Sequence, residues 1–215
     1  MPELRRQLIA TACRMAPANL NRGAAGNLSV RARENGVDGY LITPSGMDYE
    51  VLVPEDIVFM RLDGTPDGRR KPSSEWRFHH DIYAARPEAG AILHAHSPFA
   101  TSVACLRRDI PPFHYMIARF GGSTVRCARY ATFGTQALSD ATVAALQDRS
   151  ACLLANHGMV VYGRDLAHAL ALAIEFETLC AQYWRSLQLG APVLLSREEM
   201  AEVIERFKWY GKPRR

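Results

Sequence analysis

Residues 71–98, KPSSEWRFHHDIYAARPEAGAILHAHSP, decide how the rest of the chain is interpreted. The pattern predicts a polar loop, a helix over 75–86 that a proline ends, and a buried strand over 91–96. Side chains alternate between the two faces of a strand, so His94 and His96 point the same way. One short unit therefore places two candidate metal ligands near a helix N-terminus, whose free N–H groups suit an anion.

The flanking segments predict a layered α/β fold. Alternating residues near 28–31 and 40–43 predict a β-hairpin that turns at Asn35-Gly36. Further along the chain, strands and helices are interspersed. Hairpins followed by mixed elements predict one α/β domain over 1–215 with a mixed sheet, because both kinds of element must bury an apolar face.

Capping residues predict where several helices begin. Asp165 is predicted to cap a long helix, and Ser196 with Glu199 forms a capping box for the last one. Ser139 is predicted to cap a helix that runs to about Asp148. Residues 109–134 mix proline, glycine and aromatic residues and predict no single element.

Composition favours a small anionic ligand. The net charge is +4, and no dense basic run with interleaved aromatics indicates a nucleic-acid partner. Five scattered cysteines and the lack of an apolar run of about 20 residues predict a cytoplasmic protein without a membrane span. The lysines, Lys71, Lys208 and Lys212, lie in a loop or near the C-terminus. Imine chemistry is therefore not expected, and an electrophilic metal must take its place.

Three histidines are candidates for one metal: His94, His96 and His157. Catalytic zinc commonly takes three protein ligands and leaves one position open. The alternative is that His157, in ANHG, is an ordinary turn histidine, but the accompanying His-x-His pair favours a metal site. Packing or surface roles are predicted for the remaining histidines, His79, His80, His114 and His168.

Polar groups around the first helix turn complete the candidate site. Glu75 is predicted to be a fourth ligand or a general base, the alternative being an ordinary carboxylate at a helix start. Short polar turns at 26–27, 43–46 and 73–74 are candidates for binding an anion. Each of them alone is an ordinary loop, and spacing does not establish that they meet.

Seven motifs taken together carry a family resemblance that covers nearly the whole chain. They are GNLS, TPSG, SSEWRFH, HAH, HYMIARFGG, YATFGT and NHG. Together they resemble the class II sugar-phosphate aldolase/adducin head family, and SSEWRFH with HYMI and YATFGT resembles its fuculose-phosphate branch. The family has His-Asn-His where this chain has HAH, and small residues where it has Arg119 and Phe120 on the aldehyde side. The resemblance therefore leaves the aldehyde preference open.

The resemblance implies a fold and a metal. The fold would be a three-layer α/β/α single domain with a central, mostly antiparallel mixed sheet. Four copies would form a homotetramer with active sites at the subunit interfaces. Zn²⁺ would be bound by His94, His96 and His157, with Glu75 near or on the metal at rest.

The resemblance also implies roles for individual side chains. The phosphate of dihydroxyacetone phosphate would be held by Gly26, Asn27, Thr43, Ser45, Gly46, Ser73 and Ser74. Glu75 would move the proton at the carbon that becomes the enediolate, and Tyr115 from the neighbouring subunit would protonate the other oxygen. Phe133 and Tyr210 would line the aldehyde end.

The expected activity is that of a zinc-dependent aldehyde-lyase. It would cleave a ketose 1-phosphate, with L-fuculose 1-phosphate the first choice, giving dihydroxyacetone phosphate and L-lactaldehyde. 5-Deoxyribulose 1-phosphate or its methylthio analogue would also suit. Three alternatives stay open: a sugar-phosphate epimerase, a methylthioribulose-1-phosphate dehydratase, and a non-catalytic adducin-like assembly module.

Overall fold

The computed structural model describes residues 1–23 and 25–209. The helices along these residues are α1 (Pro2–Cys13), α2 (Trp76–Ala85), α3 (Pro98–Ala104), α4 (Gln136–Ala145), α5 (Leu166–Leu189) and α6 (Arg197–Phe207). The strands are β1 (Asn27–Glu34), β2 (Val37–Ile42), β3 (Val58–Arg61), β4 (Pro66–Asp67), β5 (Ala91–Ala95), β6 (Arg126–Ala128), β7 (Ala151–Leu154) and β8 (Gly158–Gly163). Three 3₁₀ turns lie at Tyr49–Val51, Pro54–Asp56 and Tyr115–Phe120.

The strands form one sheet in the order β4-β3-β2-β1-β5-β8-β7-β6. Every pair is antiparallel except β6 and β7, which are parallel. The predicted hairpin is confirmed: β1 and β2 pair up to Glu34 and Val37, and Asn35 and Gly36 both have positive φ. Two left-handed residues match a tight hairpin turn to the twist of its strands.

Two apolar clusters cover the faces of the sheet, so the predicted three-layer α/β/α architecture is confirmed. Alternate strand residues divide between them: Leu41 and Leu93 belong to the first cluster, Tyr40 and Ile92 to the second. Helices α1, α3, α5 and α6 contribute to the first cluster, and α2 and α4 to the second. Each helix thus buries an apolar stripe against the sheet.

Helix caps agree with the sequence in two cases and differ in one. The Asp165 side chain accepts a hydrogen bond from the His168 N–H at the start of α5, and the capping box at the start of α6 is present. Ser139 is not a cap, because α4 begins after Thr135, whose Oγ1 accepts the Leu138 N–H. Ser139 is buried in that helix and donates to an Asp81 carboxylate oxygen instead.

The segment without a predicted element is held by a few local contacts. Ile110 and Val125 form an isolated antiparallel bridge around the 3₁₀ turn Tyr115–Phe120, and β6 follows. Within the described residues, no helix combines the length and the apolar composition needed to cross a bilayer.

Candidate metal centre and substrate cavity

The middle of the sheet places the three candidate histidines side by side. His94 lies on β5, which runs between β1 and β8, and His96 follows directly after that strand. His157 lies in the turn between β7 and β8, directly before Gly158 begins β8. Gly158 is required here, because a Cβ would lie 2.4 Å from the Ala95 carbonyl oxygen.

These histidines and Glu75 form one compact group. One ligand atom from each of the four residues lies within 4.8 Å of the others. The Nε2 atom of His94 is 3.0 Å from His96 Nε2 and 3.1 Å from Glu75 Oε2. The Nε2 atom of His157 is 3.3 Å from Glu75 Oε1. The structure thus brings together the residues proposed from HAH, NHG and the helix start.

The hydrogen bonds of this group fit a bound cation. His94 Nδ1 donates to the Met159 carbonyl at 2.9 Å, which leaves a lone pair on Nε2 for a metal. Glu75 Oε1 is buried without a hydrogen-bond partner among the described residues. A buried carboxylate oxygen facing imidazole nitrogens is costly unless a cation lies between them. Imidazole nitrogens favour zinc and other transition metals over magnesium or calcium.

The protonation states also suit a metal. Burial, with the neighbouring His94, lowers the pKa of His96 and that of His157 to about 4. Both imidazoles are therefore neutral at pH 7 and have a lone pair to donate. Burial alone raises the pKa of Glu75, but His94, His157 and the Asn27 amide outweigh it, so this pKa lies well below its usual range. Glu75 is a carboxylate.

A cavity of about 360 Å³ opens beside the cluster. The three polar turns of the sequence meet at its wall, so their convergence is a property of the fold. The predicted site residues that line it are Gly26, Asn27, Ser45, Gly46, Ser73, Ser74, Glu75, His96, His157 and Phe133. Tyr130 and Ala131 of the YATFGT motif and Asn156 of NHG also line it, although no role was predicted for these three residues.

Two glycines are required at the wall of this cavity. Gly26 has φ +81°, and a Cβ would lie 2.6 Å from the His94 carbonyl oxygen. Gly46 has φ +69°, in the left-handed region that favours glycine. Among the described lining residues, Glu75 is the one acidic or basic side chain apart from the histidines. The turns therefore offer neutral donors.

Two of the predicted residues, Thr43 and Tyr115, lie away from the cavity wall. Thr43 is buried behind the wall, where its Oγ1 accepts the Leu28 N–H at 3.2 Å. Tyr115 is half exposed and stacks on Phe207, outside the cavity of its own chain. Tyr210 falls outside the residues that the structure describes.

The two residues that depart from the family on the expected aldehyde side do not line the cavity either. Arg119 forms an ion pair with Glu175 at 3.2 Å. Phe120 is fully buried against Phe176 in the core. Neither side chain therefore explains an aldehyde preference within one chain.

His79 makes polar contacts beside the site that the sequence did not indicate. It was assigned a packing or surface role, yet it is fully buried and hydrogen-bonded to Asn27 and Ser29. Asn27 in turn donates to Glu75 Oε2 at 3.0 Å. The spacing in sequence could have indicated this proximity, because His79 lies four residues after Glu75, the N-cap residue of α2.

The other three histidines have local roles. His80 packs on the rings of Tyr40 and Trp76. His114 caps the 3₁₀ turn by accepting the Met116 N–H at 3.2 Å. His168 lies in the first turn of α5, where its Nδ1 accepts the Arg164 N–H at 3.3 Å.

The fold and the site define an α/β enzyme domain in which three histidines and a glutamate could hold a metal ion beside a polar cavity. Comparison with known families agrees: the profile for the Class II Aldolase and Adducin N-terminal domain matches residues 6–184. The chain belongs to this family, as its motifs predicted, and the predicted enzyme class, aldehyde-lyase, is confirmed.

Individual relatives are similar over almost their whole length. A 5-methylthioribulose-1-phosphate/5-deoxyribulose-1-phosphate aldolase of Rhodospirillum rubrum is 54% identical over 97% of this chain and 92% of its own. An L-fuculose phosphate aldolase of Escherichia coli K12 is 47% identical over 97% and 96%. A solved L-fuculose 1-phosphate aldolase has a TM-score of 0.91 at 40% identity, covering 97% of both chains.

Proposed function

We propose that the chain reversibly cleaves a ketose 1-phosphate to dihydroxyacetone phosphate and a short aldehyde. One observation carries this proposal: the cluster of Glu75, His94, His96 and His157 borders a cavity where three turns of neutral donors meet. A ligand with a phosphate at one end would reach the cluster with its other end. Aldol cleavage needs that combination of an anchored substrate, an electrophile and a base.

The metal we propose is zinc, held by His94, His96 and His157, with Glu75 as a further ligand at rest. When bound, zinc supplies Lewis-acid polarisation of oxygen atoms on the substrate. The sheet positions all three imidazoles: His94 is on β5 and its ring donates to the Met159 carbonyl, His96 directly follows β5, and His157 directly precedes β8. A rigid ligand set leaves Glu75 free to change its role during turnover.

The phosphate is proposed to bind at the three turns. Ser45, Ser73 and Ser74 offer hydroxyl groups, and the glycines expose backbone N–H groups. The N-terminus of α2 follows directly after Glu75 and adds a partial positive charge. Asn27 extends the same wall toward Glu75, whereas Thr43 acts from behind the wall, where its hydroxyl fixes the start of β1. These contacts orient the substrate.

Glu75 is proposed to be the general base. Its Oε2 is occupied by the Asn27 amide, while Oε1 is buried without a hydrogen-bond partner among described residues. Oε1 can therefore accept a proton from dihydroxyacetone phosphate in the synthetic direction. In cleavage it returns that proton to the carbon left when the carbon–carbon bond breaks.

The substrate we favour is 5-deoxyribulose 1-phosphate or its methylthio analogue. The relative that carries these names is 54% identical, against 47% for the fuculose phosphate aldolase. In addition, Tyr130, Ala131 and Phe133 give the cavity an apolar side. Counting carbons, these substrates release acetaldehyde or its methylthio derivative, which carry no hydroxyl group. L-Fuculose 1-phosphate, the first choice from sequence, releases L-lactaldehyde and stays the second candidate.

The oligomer and the second proton donor belong to the same proposal. Tyr115 is half exposed and lies outside the cavity of its own chain, which suits a residue that acts on a neighbouring copy. We propose a homotetramer in which Tyr115 of one chain acts in the site of the next. In the synthetic direction it would protonate the aldehyde oxygen, and in cleavage it would take that proton back from the substrate hydroxyl. Phe133, and Tyr210 beyond the described residues, are proposed to line the aldehyde end. The cytoplasmic location and the single-domain extent of 1–215 stay predictions.

A substrate panel tests the proposed activity. The zinc-loaded protein is incubated with each of the three ketose 1-phosphates, and dihydroxyacetone phosphate is measured by coupled reduction. We expect the protein to release dihydroxyacetone phosphate, with the highest kcat/KM for 5-deoxyribulose 1-phosphate or its methylthio analogue. The His94→Ala protein serves as the inactive control. Substrate consumption without dihydroxyacetone phosphate would instead indicate an epimerase or a dehydratase.

A further inference from the structure

A continuous chain of buried polar side chains runs behind Glu75. Its Oε2 accepts from Asn27 Nδ2 at 3.0 Å, and Asn27 Oδ1 contacts His79 Nε2. His79 Nδ1 is 2.7 Å from Ser29 Oγ, which is 2.9 Å from the hydroxyl of Tyr83. All five residues are buried, so no bulk water competes for these hydrogen bonds.

Two secondary-structure periods produce this chain of contacts. His79 and Tyr83 are spaced by four residues on one face of α2, and Glu75, the N-cap residue, precedes His79 by the same spacing. Asn27 and Ser29 are spaced by two residues and share one face of β1. The helix lies on that face of the sheet, so helical and strand side chains alternate along the hydrogen-bonded chain.

The donors and acceptors along the chain can run in only one direction while Glu75 is ionised. A carboxylate accepts only, so the Asn27 amide must present its Nδ2 to Glu75. Its Oδ1 then faces His79 Nε2, which must carry a proton, and His79 Nδ1 is left to accept from Ser29. The Tyr83 hydroxyl donates to the remaining lone pair of Ser29.

We propose that His79 is a positioning residue for Glu75, acting through the Asn27 amide. Its Nε2–H fixes the amide oxygen, so that the amide nitrogen holds Oε2 and leaves Oε1 available. Without that donor, Asn27 can turn and place its oxygen against the carboxylate. The catalytic consequence rests on the proposed function, since it requires Glu75 to be the base.

Two substitutions separate positioning from packing. Leucine at position 79 fills the buried space without a donor. Glutamine extends about as far as the imidazole Nε2 and carries an N–H. His80→Gln is the matched control, because His80 is the next residue on the same helix and contacts Tyr40 and Trp76 rather than this chain of hydrogen bonds.

The measurements are kcat, KM and metal content with the ketose 1-phosphate that the parental protein cleaves fastest. We expect His79→Leu to lose kcat by about 10–100-fold, the usual effect of removing an outer-shell partner, with KM and metal content near parental. His79→Gln should recover most of that loss, and His80→Gln should match the parent. The inference is overturned if His79→Leu keeps parental kcat, if glutamine does not rescue, if metal is lost in proportion to kcat, or if His80→Gln falls equally.

A direct measurement on the parental protein keeps the inference testable even if His79→Leu does not fold. Imidazole ¹⁵N shifts report which ring nitrogen carries the proton, and the His79 signals are assigned by their absence in His79→Gln. We expect a protonated Nε2 and an unprotonated Nδ1. A proton missing from Nε2 overturns the inference whether or not the protein is an aldolase. An inactive parent with the expected tautomer would contradict only the proposed function.

Discussion

Acidification should destabilise the metal-free protein through His79. This imidazole is fully buried, and burial, with His94 nearby, lowers the pKa of His79 to about 3. In the unfolded chain the same group titrates near its ordinary value of about 6.5. Below that pH the unfolded state binds a proton that the folded state does not bind. The contribution of neutral His79 to the free energy of unfolding is therefore fully present above about pH 6.5, and it is lost progressively as the pH falls toward 3.

The size of the effect at pH 5 follows from the unfolded state. At that pH the folded imidazole is still neutral, whereas the unfolded one is about 1.5 pH units below its pKa. At about 1.36 kcal/mol per unit, the free energy of unfolding falls by about 2 kcal/mol. This value hardly depends on the folded pKa as long as that pKa stays below about 4.

The assay is urea unfolding of the parent and His79→Gln at pH 8, 7 and 5, with chelator present because metal affinity itself depends on pH. The other titrating groups act in both proteins and cancel in the difference. We expect the free energy of unfolding of the parent minus that of His79→Gln to change little between pH 8 and 7. This difference should then fall by about 2 kcal/mol between pH 7 and 5. A difference that stays constant down to pH 5 would refute a neutral buried His79.

Three further predictions concern the proposed site. His94→Ala, His96→Ala and His157→Ala should each lose the one zinc ion per chain, and full occupancy in all three by metal analysis would contradict the ligand assignment. Glu75→Gln should fold and bind phosphate but stop exchanging the dihydroxyacetone phosphate proton with solvent, as followed by deuterium incorporation. Exchange at the parental rate would exclude Glu75 as the base. Tyr115→Phe and His94→Ala should each be nearly inactive, yet regain activity when co-refolded into mixed tetramers. Verified mixed tetramers no more active than either parent would exclude an action of Tyr115 between chains.

Local sequence patterns were sufficient to predict the features that are set within a single strand or helix. His94 and His96 share a face because a strand alternates, and Asp165 begins α5 because its side chain can accept the His168 N–H. Ser139 shows the limit of such rules, since Thr135 was an equally suitable cap four residues earlier. The sequence prediction therefore placed the start of α4 four residues too late.

The remaining features depend on which strands are neighbours. Asn27 lies directly across from His94 because β1 pairs with β5, although the two residues are far apart in sequence. That register puts the Asn27 amide between Glu75 and His79. It also brings the polar turn at 26–27 next to the group of histidines and Glu75. Without the strand order, the spacing of these residues predicts neither contact, and a mid-helix histidine is interpreted as packing.

The turns proposed to bind the phosphate lack acidic and basic side chains among the described lining residues, which suits the proposed role of Glu75. A lysine or arginine in that wall would bind phosphate more strongly, but it would also lie near a buried carboxylate whose Oε1 has no hydrogen-bond partner among the described residues. An ion pair there would hold Glu75 away from both metal and substrate. Serine hydroxyls and backbone N–H groups would bind the proposed phosphate without offering Glu75 a competing cation. In this arrangement the proposed metal ion would be the positive charge nearest Glu75, at the point where the three imidazoles converge on that carboxylate.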